Sequence, residues 1–406
     1  MANYNGQSFW VLFLFFNICS VTCFYRSKNS GNTYQENNPD VLLNSFQLIQ
    51  KYNYYGEEHF VVTKNGYQLK IFRIPKKGPP VLLVHGIGDS SDSWLVLGPQ
   101  HSLAYLLADT GFDVWLFNAR GNRYSKTHIK TLSRRLYWDF SYEEIGSEDM
   151  PATIDYILSK TRHSKLTYIG FSQGTTVFFV MCSMLPEYNS LINYAILLAP
   201  VAWTKNIKYP FIDFFSRNLN DLISFDKKEK IYEVFPFNKN LNIYHSSVCK
   251  VNSPFKLLCQ LELYLNFGLK TFTNLLPDRL PVITSHIPAG SSSKTFFHFI
   301  QGYGTKRFQR YDYGKEKNRE VYASSLPPEY NVSLITIPMT LFVSEVDWFS
   351  DTNDVEILRN RLKTVDKYVV INESLQFTHL EFVYGSRVNT IINKPVINIL
   401  KTLTNI

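Results

Sequence analysis

The sequence predicts an α/β fold in which helices cover both faces of a mainly parallel β-sheet and a second structure is inserted late in the chain. Three observations predict it. Short apolar runs alternate with helix-like segments, which is typical of a sheet buried on both faces. One serine stands between a predicted strand and a predicted helix, at a glycine-flanked turn. The interval between residues 198 and 340 is far longer than one crossover connection requires.

The chain begins with the features of a signal peptide. Residues 9–16 are an almost unbroken apolar run that is too short to span a bilayer, and no Lys or Arg precedes it. Val21 and Cys23 are small enough for cleavage before Phe24. A buried N-terminal strand or a short membrane anchor is the alternative. We expect residues 1–23 to be removed and the mature chain to be secreted or lysosomal, without a stable transmembrane anchor.

The charge pattern argues against a nucleic-acid-binding protein. The formal net charge of +8 is modest for 406 residues. The Lys and Arg residues are scattered, apart from small clusters such as Arg134 and Arg135, so no basic stripe is present. A basic face that is attracted to anionic lipid or to an acidic interface is compatible with this charge.

Three cysteines remain after removal of the predicted signal peptide. Cys249 and Cys259 are close enough in sequence to close a small disulfide loop in an oxidising compartment. Cys182 lies in the apolar stretch after the glycine-flanked serine, where a buried, unreactive thiol is expected. No CxxC or HExxH pattern occurs, so we expect neither a metal site nor a cofactor.

The predicted sheet begins with an antiparallel hairpin, because two β-rich runs flank the turn residues 64–66. Helices are predicted between the following strands: Ser141 and Glu144 have capping-box spacing, and Pro151 suits the first turn of a helix. The predicted strands are residues 59–63, 67–74, 81–84, 114–117, 166–169, 195–198, 340–343 and 368–371.

The long interval after residue 198 predicts an inserted cap. Its sequence is rich in Phe, Tyr and Leu, carries the close cysteine pair and contains no repeat or low-complexity tract, as expected of a folded unit. The expected organisation is a signal peptide (1–23), the first part of the core (24–202), a mostly helical cap or lid (203–310) and the second part of the core (311–406).

Ser172 is the candidate nucleophile, at the centre of the GxSxG sequence GFSQG. The predicted strand LTYI precedes it and the helix-like TTVFFVMCSML follows, which is the context of a nucleophile elbow. The flanking Gly170 and Gly174 fit this sharp turn, where larger side chains would collide. This strand–turn–helix context makes the short motif specific and predicts the α/β-hydrolase fold.

A serine nucleophile needs a histidine base, and the base needs a carboxylate that fixes its tautomer. In the α/β-hydrolase fold these residues follow the serine in the order acid, then histidine. His379 is the one histidine downstream of the last predicted strands, in a loop before the final helix. Asp347 follows the strand TLFV almost immediately and is the predicted acid, with Glu345 as the alternative.

Other acidic and histidine residues have structural interpretations. Asp351 and Asp354 stand at the start of a predicted helix, where they offset its dipole. His85 precedes the serine in sequence, in the loop expected to shape the oxyanion hole, so it is not expected to be the base. Histidines of the inserted region are expected to be solvated or to cap helices; they are His245, His286 and His298.

A tetrahedral intermediate needs two backbone donors, one following the nucleophile and one in an early loop. The first predicted donor is the amide of Gln173. The second is the amide of Ile87, in the sequence HGIG after the strand VLLV, where Gly86 allows close approach of the backbone to a substrate.

Motifs along nearly the whole mature chain resemble those of the acid lipases, the group that includes gastric lipase, lysosomal acid lipase and many insect digestive lipases. The matching motifs are EEHFVVTKNGYQLKIFRIP, VLLVHGIGDSSDSW, GPQHSLAYLLADTGFDVWLFNARGNRYS, DMPATIDYIL, GFSQGTT, HIPAGSS, YDYG, PPEY, VDWFSDTNDVEIL and FTHLEFVYG.

The resemblance implies an α/β-hydrolase core with a mostly helical cap, and hydrolysis of neutral lipid esters such as triacylglycerols or sterol esters. Carried over by motif, the family's nucleophile falls on Ser172, its acid on Asp347 and its base on His379. Its oxyanion amides fall on Ile87 and Gln173. The reasoning from the residues alone reaches the same positions.

Two departures from the family pattern affect the expected site. The family usually has His before the nucleophile, where this chain has Phe171, so we expect a changed pocket shape or pH dependence and not inactivity. The glycines that commonly precede the acid are replaced by Ser344 and Glu345, which would stiffen the acid's loop.

The aromatic cap favours a lipid ester at a lipid–water interface, because it would shield the pocket in water and open at a lipid surface. The alternative is a cap that packs internally and admits only small esters. Asn331 and Asn372 stand in glycosylation triplets, NVS and NES. The main hypothesis is therefore a secreted or lysosomal lipase that forms an acyl-enzyme. The alternatives are a non-catalytic lipid-binding or storage protein and a narrower carboxylesterase.

Overall fold

The structure is a computed structural model that describes residues 38–404. The predicted signal peptide of residues 1–23 lies outside the described residues. The strands are β1 Glu57–Val62, β2 Tyr67–Ile74, β3 Pro80–Val84, β4 Asp113–Leu116, β5 Thr127–His128, β6 Leu166–Phe171, β7 Ile192–Leu198, β8 Glu233–Val234, β9 Ser291–Ser292, β10 Met339–Ser344 and β11 Val365–Ile371.

The central sheet has the strand order β1-β2-β4-β3-β6-β7-β10-β11, and the short β5 pairs with β2. β1 and β2 form an antiparallel hairpin, and β2 is also antiparallel to β4. From β4 to β11 the neighbouring strands are parallel. The mainly parallel sheet and its opening hairpin are therefore confirmed, and the carboxyl ends of the parallel strands meet at one edge, where loops can combine their side chains.

The largest differences between the predicted and observed strand starts are at β7 and β11. β7 begins at Ile192, not at residue 195, and β11 begins at Val365, not at residue 368. β11 is the last strand of the sheet, and its first residues include the exposed Asp366 and Lys367. An edge strand needs no continuous apolar run, so a search for apolar runs misses its polar half.

Helices cover both faces of the sheet before the nucleophile turn and after β10. The predicted capping box of Ser141 and Glu144 is present, and Pro151 lies in the first turn of a helix, as expected. The helices before β7 are α1 Ser45–Lys51, α2 Leu103–Thr110, α3 Arg134–Tyr137, α4 Tyr142–Glu144, α5 Met150–Thr161 and α6 Gln173–Met184. No helix within residues 38–404 is long and apolar enough to cross a membrane.

The chain between β7 and β10 is mostly helical. Its helices are α7 Ile212–Arg217, α8 Leu219–Glu229, α9 Lys239–Val248, α10 Lys256–Phe267, α11 Thr271–Asn274, α12 Leu280–His286, α13 Ser293–Thr305 and α14 Lys315–Tyr322. The antiparallel pair β8–β9 lies among them. The last three helices return to the core and are α15 Thr352–Arg361, α16 Glu381–Tyr384 and α17 Lys394–Thr404.

Alternate residues of each central strand face two different apolar cores. On β3, for example, Val81 and Leu83 belong to one core and Leu82 and Val84 to the other. Burying each such side chain completely stabilises the fold by about 1.5–3 kcal/mol. The first core also contains Leu263 of α10. The inserted helices therefore share a core with the sheet.

Candidate active site

Ser172 occupies the sharp turn between β6 and α6. Its backbone angles, φ 53° and ψ −118°, are strained for a residue with a side chain. The turn is that tight because its glycines leave no room: a Cβ on Gly174 would lie 2.3 Å from the carbonyl oxygen of Val84, and one on Gly170 would lie 2.7 Å from that of Gly174. The structure thus forms the elbow that the GxSxG sequence predicts.

The loops after β10 and β11 bring the other two predicted residues to Ser172. His379 Nε2 lies 2.8 Å from Ser172 Oγ, and His379 Nδ1 lies 2.8 Å from Asp347 Oδ2. All three side chains are buried, with 6% of Ser172, 5% of His379 and none of Asp347 exposed. Since a carboxylate only accepts hydrogen bonds, Nδ1 carries the hydrogen and Nε2 is free to accept one from the serine hydroxyl.

The carboxylate of Asp347 is held in place by its own loop. Its Oδ1 accepts hydrogen bonds from the amides of Phe349, at 2.8 Å, and Ser350, at 3.1 Å. The alternative acid, Glu345, is exposed and instead accepts a hydrogen bond from the amide of Glu373 at 2.6 Å. The geometry therefore favours Asp347 as the partner of the histidine.

The two other acidic residues of this region, Asp351 and Asp354, lie at the start of a helix, as predicted. Asp351 caps α15 by accepting a hydrogen bond from the amide of Asn353, and Asp354 lies in the first turn. Both positions offset the helix dipole, as expected.

The two amides predicted to bind the oxyanion are available. Within residues 38–404 neither the N–H of Ile87 nor that of Gln173 donates a hydrogen bond. Gly86, which precedes Ile87, packs against the nucleophile: a Cβ there would lie 3.3 Å from Ser172 Cβ. Two unpaired donors beside a nucleophile are the arrangement that stabilises a developing oxyanion.

Phe171, where the family has histidine, is 3% exposed and lies under the base. Its ring centroid is 5.1 Å from that of His379. The ring also lies against Gly86, whose Cβ would be 3.3 Å from Phe171 Cε1. His379 therefore has an apolar, non-titrating neighbour on this side.

Residues of the inserted segment close over the site. Phe235 lies against Gly88 of the oxyanion loop, with its Cβ and ring carbon Cδ2 both 3.3 Å from where a Cβ would stand. In addition, Thr271 Oγ1 is 3.0 Å from the hydroxyl oxygen of Thr378, the residue before His379. Sequence reasoning did not find these contacts, because no local pattern shows which aromatic residue of the insertion meets which loop.

Two of the histidines in the inserted region contradict the expectation of solvated or capping residues. His286 is 2% exposed, and its Nε2 is 2.8 Å from the carbonyl oxygen of Leu43. His298 is 1% exposed, its Nε2 is 2.9 Å from the carbonyl oxygen of Gln309, and burial lowers its pKa to about 3. The expectation is wrong because backbone carbonyls, which are invisible in a sequence pattern, satisfy the buried rings. His245 is half-buried and lies 2.7 Å from a carboxylate oxygen of Glu262.

The remaining predicted positions are also located. Cys249 and Cys259 are joined by a disulfide, and Cys182 is buried and free, as expected. Asn331 and Asn372, the asparagines of the two glycosylation triplets, are exposed. Each accepts hydrogen bonds at the start of a short 3-10 helix.

Family models match this chain over most of its length. One described as "alpha/beta hydrolase fold" matches residues 79–370, and one described as "partial alpha/beta-hydrolase lipase region" matches residues 46–98. Lipase 1 of Drosophila melanogaster is 39% identical to it over 89% of this chain and 80% of that protein. The chain belongs to the acid lipase family. As a member of that family, it is a lipase, an ester hydrolase of the α/β-hydrolase fold.

Human relatives of this acid lipase carry two different substrate names. The human gastric triacylglycerol lipase is 35% identical over 86% of this chain and 88% of that protein. The human lysosomal acid lipase/cholesteryl ester hydrolase is 34% identical over 96% of this chain and 98% of that protein. Among solved structures, the α/β hydrolase GrgF from Penicillium sp. sh18 matches with a TM-score of 0.51 and 14% identity, over 87% of this chain and all of that one. That likeness shows the fold alone.

Proposed function

We propose that this acid lipase hydrolyses neutral lipid esters, triacylglycerols or sterol esters, through an acyl-enzyme formed on Ser172. The observation that carries the proposal is the continuous hydrogen-bonded chain from Asp347 through His379 to Ser172, beside two unpaired amides. A non-catalytic lipid-binding protein has no use for a serine held in a strained turn against a buried histidine.

The proposed reaction has two halves. Ser172 Oγ attacks the ester carbonyl and its proton passes to His379 Nε2, while Asp347 holds Nδ1–H and stabilises the imidazolium. The amides of Ile87 and Gln173 bind the oxyanion. The ester's C–O bond breaks, and the alcohol leaves with the proton from Nε2. A water molecule then repeats the attack on the acyl-enzyme and releases the carboxylic acid.

We further infer that the enzyme works at a lipid–water interface, because α10 presents an apolar face to solvent. Only Cys259 and Leu263 of this helix are buried. Leu257 is 75% exposed and Leu261 48%, although a surface helix in water normally turns such residues inward. Five further apolar residues are exposed on or beside the helix: Val251, Phe255, Leu258, Tyr264 and Leu269. A helix with an outward apolar face suits a lipid surface.

The charge near α10 also supports the docking of a lipid surface on this helix. Residues 250–270 contain Lys250, Lys256 and Lys270 against one acid, Glu262, which is paired with His245. Lysines at the rim of an apolar face favour a surface that contains anionic lipid or fatty acid.

The helix also ends beside the catalytic loops. Phe267, its last residue, has its ring 6.1 Å from that of Phe349, which in turn lies 5.1 Å from the ring of His379. A lipid surface docked on α10 would therefore lie next to the site.

A secretory location is part of the proposal. It rests on the predicted signal peptide, on the disulfide of Cys249 and Cys259, which forms in oxidising compartments, and on the exposed triplets at Asn331 and Asn372.

The substrate class is tested with emulsified triolein, cholesteryl oleate and soluble p-nitrophenyl butyrate, each with wild type and the Ser172→Ala variant. We expect hydrolysis of at least one emulsified lipid, lost in Ser172→Ala. Equal rates for the two proteins would refute the serine mechanism. Hydrolysis confined to the soluble ester would establish the narrower carboxylesterase instead.

The interface is tested with the double variant Leu257→Ser/Leu261→Ser. We expect it to lose most of its activity on emulsions and to keep its activity on the soluble ester. Leu326→Ser is the matched control, because Leu326 is 55% exposed but lies outside residues 203–310. Equal losses on emulsion in the control and the double variant would contradict the docking role of α10.

A further inference from the structure

His85, the first residue after β3, holds two backbone groups that require opposite roles of its ring nitrogens. Nδ1 lies 2.8 Å from the carbonyl oxygen of Gly86, and the amide of Ala119 donates to Nε2 at 3.2 Å. A carbonyl oxygen only accepts and an amide N–H only donates, so the ring is neutral with its hydrogen on Nδ1. The ring is buried, and this burial lowers the pKa of His85 to about 4, which agrees with a neutral ring.

The ring of His85 is held in one orientation. It stacks on Phe117, with centroids 5.8 Å apart and planes 22° from parallel. The side-chain nitrogen of Asn122 lies 3.3 Å from Nε2 and also donates to Asn118 Oδ1 at 2.9 Å. The other side-chain atom of Asn122, its oxygen, accepts from the amide of Tyr124, so neither the amide nor the imidazole can be flipped without losing bonds.

The carbonyl that accepts from His85 belongs to the peptide group that contains the N–H of Ile87. A peptide group is planar and trans, so fixing the direction of its C=O also fixes the direction of its N–H. Without this bond the plane of the Gly86–Ile87 peptide could rotate about Gly86, the residue type with the greatest backbone freedom. The Ile87 N–H has no partner of its own within residues 38–404 to hold it.

We propose that His85 is a positioning residue for the reaction: its Nδ1–H fixes the Gly86–Ile87 peptide so that the Ile87 N–H stays directed at the developing oxyanion. This inference rests on the proposed function, in which Ile87 is an oxyanion donor. It differs from a purely structural role, in which the ring only fills space and satisfies Ala119.

Two substitutions distinguish the roles of the two ring nitrogens of His85. Asparagine places its amide nitrogen near the position of Nδ1, so His85→Asn keeps a donor to the Gly86 carbonyl but leaves the Ala119 N–H without an acceptor. Glutamine reaches the position of Nε2, so His85→Gln keeps an acceptor for Ala119 and loses the donor to Gly86. Each variant leaves one buried backbone group without a partner, the Ala119 N–H in His85→Asn and the Gly86 carbonyl in His85→Gln, so both should have a lower Tm than the wild type.

The experiment compares kcat, KM and Tm of both variants with the wild type on p-nitrophenyl butyrate. We expect His85→Gln to lose about tenfold or more in kcat with little change in KM, a part of the roughly 10²–10³-fold cost of removing an oxyanion donor. His85→Asn should keep kcat within about threefold of wild type despite its lower Tm. A much larger loss of kcat in His85→Gln than in His85→Asn, with both variants folded, supports the proposal. A loss of kcat in His85→Asn as large as that in His85→Gln overturns it.

A measurement on the wild type covers the case in which His85→Asn does not fold. Neutron diffraction from the deuterated protein should locate deuterium on Nδ1 of His85, and deuterium on Nε2 would overturn the proposal. Because the His85 variants are assayed on a soluble ester, the result does not depend on whether the natural substrate is a lipid. A wild type that hydrolyses the soluble ester and no lipid refutes the proposed substrate, and the comparison of His85 variants still decides the role of His85.

Discussion

The carboxylate of Asp347 accepts from His379 through both of its oxygens, at 3.0 and 2.8 Å, so the imidazole has one favoured tautomer. Asp347→Asn would keep the shape and let the amide present an N–H to Nδ1, which favours the tautomer with hydrogen on Nε2. That tautomer cannot accept the serine proton. We expect kcat to fall by about 10⁴, the size of loss this change causes in a Ser-His-Asp site, with the fold intact.

Glu345→Gln is the matched control for Asp347→Asn. Glu345 lies two residues earlier and contacts the amide of Glu373 instead of the base, so its substitution should leave kcat nearly unchanged. The measurement is kcat on the soluble ester together with the circular dichroism spectrum of each variant. A folded Asp347→Asn protein with wild-type kcat would contradict the assignment of the acid.

Among individual residues, the sequence predicted those whose roles depend on chain order and on the neighbouring strand or helix. Ser172 directly follows β6, and Asp347 and His379 lie in the loops after β10 and β11, so their meeting at one edge of the sheet could be foreseen. The contact of His85 with Ala119 could not, since 34 residues separate them and only the packed loops bring them together.

Among the loops and helices, the link between Asp89 and α16 joins the oxyanion loop to the segment that follows the base. Tyr384 OH donates to Asp89 Oδ2 at 2.7 Å, and both side chains are buried. Burial raises the pKa of Asp89 from 3.8 to about 7. Between these two values the folded carboxyl holds a proton that the unfolded one has lost. The free energy of unfolding should therefore fall as the pH rises through this window.

Asp89→Asn removes the titrating group and should remove this pH dependence. Relative to wild type, the variant should gain stability between about pH 4 and pH 7, with a slope of up to about 1.4 kcal/mol per pH unit. Denaturant unfolding of both proteins across this range measures the difference. A difference that stays constant with pH would show that Asp89 ionises at its ordinary pKa in the folded protein.

The disulfide connects the end of α9 to α10 across a sequence separation of 10 residues. A loop of this length should contribute about 2–3 kcal/mol by restricting the unfolded chain. The double variant Cys249→Ser/Cys259→Ser avoids a free thiol and should lower the unfolding midpoint accordingly. It should reduce activity on emulsions more than on the soluble ester, because α10 carries the proposed docking face. An unchanged midpoint would contradict the stabilising role of the bond.

Elements were predicted well where apolar runs are continuous and less well elsewhere. The central strands are buried on both faces, so their patterns leave little choice. β11 lies at the edge and begins with polar residues, which hid its first half. The interior position of His298 depends on its stacking with Tyr142, 3.9 Å between centroids, which joins α13 to α4 across 156 residues of sequence.

At the scale of the whole molecule, the inserted helices and the sheet form one body around a closed site. Leu263 of α10 and Ile283 of α12 belong to the same core as Val81 and Leu83 of β3. The shared core shows that the insertion is not a loosely tethered module. The boundaries of the insertion, at residues 202 and 310, stay a prediction from the sequence. Because Ser172 is 6% exposed, we expect substrate entry to require that contacts such as those of Phe235 with Gly88 and of Thr271 with Thr378 open.

The proposed role of Ser172 as the nucleophile of an ester hydrolase can be tested by covalent labelling. The most direct measurement treats the wild-type protein with an alkyl phosphonate ester, which modifies activated serines covalently, and maps the adduct by peptide mass spectrometry. We expect one adduct, on Ser172, which forms at the same rate as activity on the soluble ester is lost. The adduct should be absent from Ser172→Ala and should form more slowly in Asp347→Asn. Complete loss of activity with the adduct on another residue, or full activity with Ser172 modified, would contradict it.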